Sequence, residues 1–436
     1  MVMTRWTTVI LAHPWAAFAR LVLITVGGVL VLQSSDRVDP AKLAYLVVAG
    51  ISVIMSAVHA WQIRNSQPGR ASRGLLFAMF VLLAVVAISL PVALAHGVGA
   101  SAWLRDAVAY GLFAVVALVA LDSHAVQPRW LVGLALVIGA LATVSYAAVW
   151  LDRRSIADVS IDRLVLASGA LASMFFVIAS SFSFRARRGR LWWAAIAGVS
   201  LGLFIVVGTR SRLPFILLPI LLGVLAGGGL RRNLPSWVVH VIAAAALIIA
   251  VPLLQGAATP QGGAPGEAPS DGFGRRVDSI DDLITNPGRD ASMRERISQT
   301  VAAWQVFVSD PILGAGPGLE IEWTDYAGDT QRGYALDSPL TLLAKFGIIG
   351  AAAAAVWIVA FARFSRVALH RLRGSAESLI LVGFSVVLVY GSLFLPPMQD
   401  KGTSFALMVI LALVMGRAFD AREQTVTRAP EQTRQT

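Results

Sequence analysis

The chain has no cysteine in 436 residues. That removes a disulfide framework, a thiolate nucleophile and any Cys-ligated metal. It is compatible with an oxidising exterior without establishing one. Charge is also scarce: 14% of residues are charged, against about 25% in soluble proteins. Lysine is nearly absent, so the net charge of +11 comes almost wholly from arginine. In a soluble chain such a balance would point to nucleic acid. Here the arginines sit mostly in short connections between apolar runs, the pattern that orients a membrane protein, and no nucleic-acid partner is expected. Metal-ligand spacing is missing too. His13, His59, His96, His124, His240 and His370 are scattered along the chain, and no Walker motif, nucleophile elbow or zinc motif appears. These absences exclude ATP-driven pumps and hydrolases of the usual kinds, and neither a metal nor a cofactor is expected.

What the chain does have is apolar length. It is 57% hydrophobic with a mean hydropathy of +0.72. Runs of about 20 apolar residues, the span of a hydrocarbon core, recur near 16–33, 41–61, 74–95, 107–121, 130–150, 163–182, 191–207, 214–229, 237–254, 339–362, 377–395 and 403–416. They do not alternate apolar with polar, which excludes a β-barrel. The expected fold is all-α, a polytopic bundle of about twelve spans. Within the first span the strongly apolar stretch is Leu21–Leu32; Arg5 and Arg20 come before it, and so do the small residues Ala16-Ala-Phe-Ala19. A cleavable signal has the reverse order, so the first span is read as retained.

Arginine placement gives an orientation. Arg64, Arg70 and Arg73, then Arg129, then Arg185 to Arg190, then Arg231 and Arg232, then Arg363 to Arg373 fall in alternate connections. They define a cytoplasmic side that also holds both termini. The opposite connections are mixed or acidic and include Asp106 and Asp400-Lys401. One long polar insert falls on this outer side. The expected organisation is a membrane bundle over 1–254, an extracytoplasmic insert over 255–338, three further spans over 339–418 and a disordered tail over 419–436.

Lipid does not host irregular polar backbone, so surface chemistry is expected in the insert. Gly256 to Gly274 is rich in Gly, Ala and Pro and reads as a flexible tether. A weak cap, Ser279-Ile-Asp-Asp282, starts a short helix. Ser292-Met-Arg-Glu295 fits a capping box, and Ile297, Val301, Trp304 and Val308 share one helical face. An amphipathic helix is expected over Ser292–Ser309, packed on the bundle or lying at the interface.

Five residues stand out as site candidates, with Lys345 weighed beside them. Arg210 and Arg212, in Gly208-Thr-Arg-Ser-Arg-Leu-Pro214, lie at an outer span boundary. Either they snorkel or their planar forks clamp an anion such as a lipid diphosphate. Arg294 and Arg296 open the insert helix against its dipole, either as a solvated face or as phosphate contacts. Asp337 precedes the tenth apolar run, as a helix N-cap or as a general base. Lys345, further into that run, either snorkels or pairs. Gly314-Ala-Gly-Pro-Gly318 follows a helix rather than a strand, which makes it a tight turn rather than a phosphate loop.

Three segments together resemble the O-antigen ligase and O-antigen polymerase superfamily. Thr209-Arg-Ser-Arg212 is similar to its Thr-x-Ser-Arg at a span boundary. Arg296, followed by Trp304 and Asp310-Pro-Ile-Leu-Gly-Ala-Gly-Pro-Gly318, resembles its loop motif. Asp337-Ser-Pro-Leu-Thr-Leu-Leu-Ala-Lys-Phe-Gly-Ile-Ile-Gly350 resembles the segment entering its next span. The resemblance covers about 190 to 365. Two positions depart from it. Thr300 stands where the family usually has Trp, and Leu336-Asp337-Ser338 stands where ligases carry His-Asn. An acid at that place tilts the reading toward a polymerase. The resemblance implies a metal-independent membrane glycosyltransferase. Its donor is a glycan on undecaprenyl diphosphate, and its acceptor is a glycan or a lipid. Arg212 and Arg296 would hold the diphosphate, Arg210 and Arg294 would assist, and Asp337 would activate the acceptor hydroxyl. A secondary transporter, or a non-catalytic envelope scaffold, is the alternative.

Overall fold

The computed structural model describes residues 13–32, 40–153, 169–186, 188–207, 213–226, 230–258, 291–325, 328–334, 336–393 and 396–419. The helices are α1 (Pro14–Val31), α2 (Pro40–Gln62), the short α3 (Gln67–Ala71), α4 (Arg73–Ala95), α5 (Ala100–Asp122), α6 (Pro128–Arg153) and α7 (Gly169–Arg185). They continue with α8 (Arg190–Val207), α9 (Leu213–Leu225), α10 (Leu230–Ala258), α11 (Ala291–Ser309), α12 (Thr341–Arg371), α13 (Ala376–Ser392) and α14 (Lys401–Ala418). Each expected apolar run overlaps one of these helices over its described residues. Among the described residues, seven helices are long and apolar enough to cross a membrane. The protein is a helical, polytopic membrane protein.

The bundle is built around α5 and α14, whose residues are mostly buried and which pack on each other. Both helices carry small residues among their large apolar ones, such as Ala107, Ala114, Ala117 and Ala120 on α5 and Gly402, Ser404, Ala406 and Ala412 on α14. Such residues let helix backbones approach closely where lipid offers no hydrophobic contrast. A polar knot ties α1, α2 and α5 at the end of the bundle away from the insert. The buried Asp122 carboxylate accepts from Arg20 Nε (2.8 Å) and Nη2 (2.6 Å) and from Ser56 Oγ (2.8 Å), and meets His59 Nδ1 at 2.6 Å. A buried carboxylate is tolerable only with its lone pairs filled in this way.

Three details add to or change the expectations. The all-α fold carries one short antiparallel hairpin, β1 (Ile321–Thr324) with β2 (Thr330–Gly333), in which Ile321 lies opposite Gly333 and Thr324 opposite Thr330. The alternation of Ile321 and Trp323 with polar residues is a strand period, overlooked because the stretch is so short. Second, α10 runs on to Ala258, past the expected start of the tether. Third, α11 begins at Ala291, which puts Ser292 inside the helix rather than at its cap. The rest of the tether, the Ser279–Asp282 cap and the tail beyond 419 lie outside the described residues.

Candidate functional site

The insert is anchored by an exchange of backbone hydrogen bonds with α12. Gly347 has φ 59° and breaks the helix there. A break would orphan the carbonyls of Ala344 and Lys345 and the amides of Ile348 and Ile349, which pair with each other in an unbroken helix. The segment after α11 takes all four. Ala315 N–H donates to Ala344 O (2.9 Å) and Gly316 N–H to Lys345 O (3.0 Å). Ile348 N–H donates to Pro311 O (2.9 Å) and Ile349 N–H to Ile312 O (3.3 Å). The approach is so close that a Cβ on Gly314 would meet the Lys345–Phe346 backbone, and one on Gly347 would meet the Ile312 carbonyl. Gly314-Ala-Gly-Pro-Gly318 is thus a turn wedged into a helix break, in keeping with its turn reading.

Charge fastens the wedge. Lys345 Nζ lies 2.5 Å from Asp106 Oδ2 on α5, and the same oxygen accepts Gly318 N–H at 2.8 Å. Lys345 therefore pairs rather than snorkels. At the wedge's other end Asp310 meets His96 Nε2 at 3.1 Å, just past α4. The hydrogen bond to Val92 O, opposed by desolvation and reinforced by Asp310, lifts His96 above the usual histidine range.

On this base α11 presents its polar flank to the segment before α12. Arg296 Nε lies 4.0 Å from Asp337 Oδ2, with the two side chains 20% and 27% exposed. Both are thus reachable from solvent while held in place. Gln299 Oε1 accepts Asp337 N–H at 2.6 Å, and Thr300 Oγ1 donates to Ser338 Oγ at 3.1 Å. The N-cap reading of Asp337 fails, since α12 is capped by Leu340; the side chain faces Arg296 instead. Beneath them Ala302, Ala303, Ile321, Leu336 and Ala344 form a small buried core that joins α11, the hairpin and α12.

A second cluster adjoins it. The Arg105 guanidinium stacks 3.7 Å from the Tyr334 ring centroid, Gln399 Nε2 donates to Tyr334 O at 3.4 Å, and Tyr334 O–H donates to Glu320. The Glu320 carboxylate beside that hydroxyl pushes Tyr334 above the usual tyrosine range.

Of the five candidates, the structure brings Arg296 and Asp337 together. Arg294, two residues and about 200° around the helix from Arg296, is exposed. Arg210 and Arg212 lie outside the described residues. The sequence reading missed Gln299, Thr300 and Ser338. The first two were findable, because they stand three and four residues after Arg296 on the same flank.

A family model described as O-antigen ligase matches residues 197–355. Over that segment the chain is similar to the O-antigen ligase/polymerase superfamily. The match takes in Arg210 and Arg212, α11, the wedge, Asp337 and the first half of α12. No curated protein matches the chain. Members of this family are membrane glycosyltransferase-like enzymes acting on lipid-linked glycans. Family and apolar helices together make this a multi-pass membrane protein, and the transporter alternative gains no support.

Proposed function

We propose that the protein polymerises glycan units carried on undecaprenyl diphosphate, at the extracytoplasmic face of a bacterial inner membrane. The observation that carries this reading is the Arg296–Asp337 pair, half-buried and solvent-reachable, inside the family-matched segment. Asp337 takes the proton of an acceptor sugar hydroxyl. The freed oxygen attacks the donor's anomeric carbon, and the bond from that carbon to the diphosphate breaks. Negative charge collects on the departing diphosphate, where Arg296 and Arg212 stabilise it, with Arg210 and Arg294 in support. Guanidinium forks are suited to this task, and the charge they supply makes a divalent cation unnecessary. The acidic Asp337, in place of the His-Asn of ligases, supports polymerisation over transfer to a separate lipid acceptor. The twelve runs that overlap helices, with arginine in alternate connections, support twelve spans. An even count keeps both termini on one side, and the arginine-rich connections support that side as cytoplasmic and the insert as outside.

The test is elongation of a lipid-linked repeat unit by the purified protein in vesicles, with no other acceptor present. Arg212→Ala, Arg296→Ala and Asp337→Asn should each cut elongation at least a hundredfold while the protein remains folded. Full elongation by stable Arg296→Ala and Arg212→Ala variants would overturn the reading. Transfer that proceeds only when a lipid acceptor is added would reassign the protein as a ligase.

A further inference from the structure

The insert helix α11 is inside out by the standards of a soluble protein. Gln299, Ala302 and Ala303 face inward and are buried, whereas Ile297, Val301, Trp304 and Val308 form the opposite stripe and are 49–58% exposed. An amphipathic helix on a water-soluble core turns its large apolar residues inward. Here the small and polar face meets the protein, and the large apolar face meets something else.

The stripe is continuous with a surface that already faces lipid. Past the end of α11 it runs into Ile312, whose carbonyl takes the amide of Ile349 on α12. Ile312 is exposed, as are Ile348 and Ile349 on a helix long and apolar enough to span. Depth agrees. Arg363, Arg366 and Arg371 lie about 22 to 35 Å down α12 from Ile348 by helical rise, which brackets the roughly 30 Å of a hydrocarbon core. Ile348 and Ile312 therefore stand at the edge of the hydrocarbon on the insert side. Trp304 is the residue type favoured at that boundary. Arg294, exposed beside the stripe at about 60° from its centre, is placed to extend its guanidinium to lipid phosphates.

We propose that α11 lies along the membrane–water interface with Ile297, Val301, Trp304 and Val308 immersed in the outer edge of the bilayer, so that lipid is the partner of this face. Arg296, on the flank between the immersed stripe and the buried face, is then held at headgroup depth, where the diphosphate of a membrane-bound donor resides. This last step rests on the proposed function; the placement of the helix does not.

The absence of native cysteine makes the test direct. Single cysteines at Val301, Trp304 and Val308, and at Gln331 on the exposed hairpin, are spin-labelled in nanodiscs of phosphatidylethanolamine and phosphatidylglycerol. The expected result is that molecular oxygen relaxes the three stripe labels more than a water-soluble nickel chelate does, with the order reversed at 331. Higher nickel accessibility at the stripe positions would overturn the proposal. So would spin–spin broadening there, which would mean that a second copy of the chain covers the face. Val301→Asp should lower elongation about tenfold in vesicles. Full elongation by this variant would overturn the depth role of α11, while the label accessibilities judge its placement independently of any activity.

Discussion

The ion pair between Asp106 and Lys345 offers the sharpest test of how the insert is held. The two side chains are 7% and 1% exposed, and they join α5 to the broken first turns of α12. Removing one member of a buried pair leaves an uncompensated charge, at a cost of about 3–5 kcal/mol. Asp106→Asn keeps an oxygen for the Gly318 amide but strands the Lys345 ammonium, so it should reach the upper part of that range. Lys345→Met strands a carboxylate that still accepts the Gly318 N–H, and should cost less. The double variant removes both charges and, by the same reasoning, should recover much of the loss, for a coupling of about 2 kcal/mol or more. Reversible unfolding in detergent, followed in parallel with protease cleavage of the insert, measures all four corners of the cycle. Single losses that simply add would refute the argument that these charges hold the wedge together.

Other outcomes follow from the same geometry. Gly347→Ala forces a side chain against the Ile312 carbonyl and onto a backbone at φ 59°, so the insert should become protease-sensitive while α13 and α14 stay protected; an unchanged cleavage pattern would count against the wedge. The His96–Asp310 contact should weaken as pH rises. The folded-state pKa of His96 is raised, so its contribution is full below about 6.5, the ordinary value, and is lost as pH climbs through the raised value. The effect is modest, because both groups are about a third exposed and solvent screens them. Cleavage of the insert should increase between pH 6 and 8 in the parent and stay flat in His96→Gln; a decrease with pH would contradict the sign. Arg332→Ala breaks the exposed hairpin pair with Glu322 and should cost less than about 1 kcal/mol in the same unfolding assay.

Much of the architecture was legible because lipid imposes a length rule. A run of about 20 apolar residues suggests a span, and each expected run overlaps a described helix, seven of which are long and apolar enough to cross a membrane. The insert helix was legible from its 3.6-residue period, but not the direction of its apolar face. In a membrane protein both the bundle and the bilayer welcome Ile297 and Trp304, and periodicity does not distinguish them. The Asp106–Lys345 pair joins residues 239 apart, and nothing local in the chain announces such a contact. The helix break at Gly347 was hidden for a related reason. Hydropathy reports side chains, whereas the break is a transaction between backbone groups. At the site Arg296 and Asp337 were chosen for their chemistry, and they meet. Thr300 and Ser338, noted only as departures from a pattern, turn out to bond each other and hold α11 beside the Asp337 segment.

The exchange of hydrogen bonds between the wedge and α12 also defines what is transplantable. A hybrid protein that swaps an insert at its polar boundaries, near 255 and 338, would join a foreign wedge to a host helix whose broken turn was shaped for another. The natural unit of exchange instead extends from the end of α11 to Gly350, carrying the Gly-rich turn and both sides of the helix break as one piece. Asp106 or its equivalent would have to travel with it, although it lies more than two hundred positions earlier in the chain.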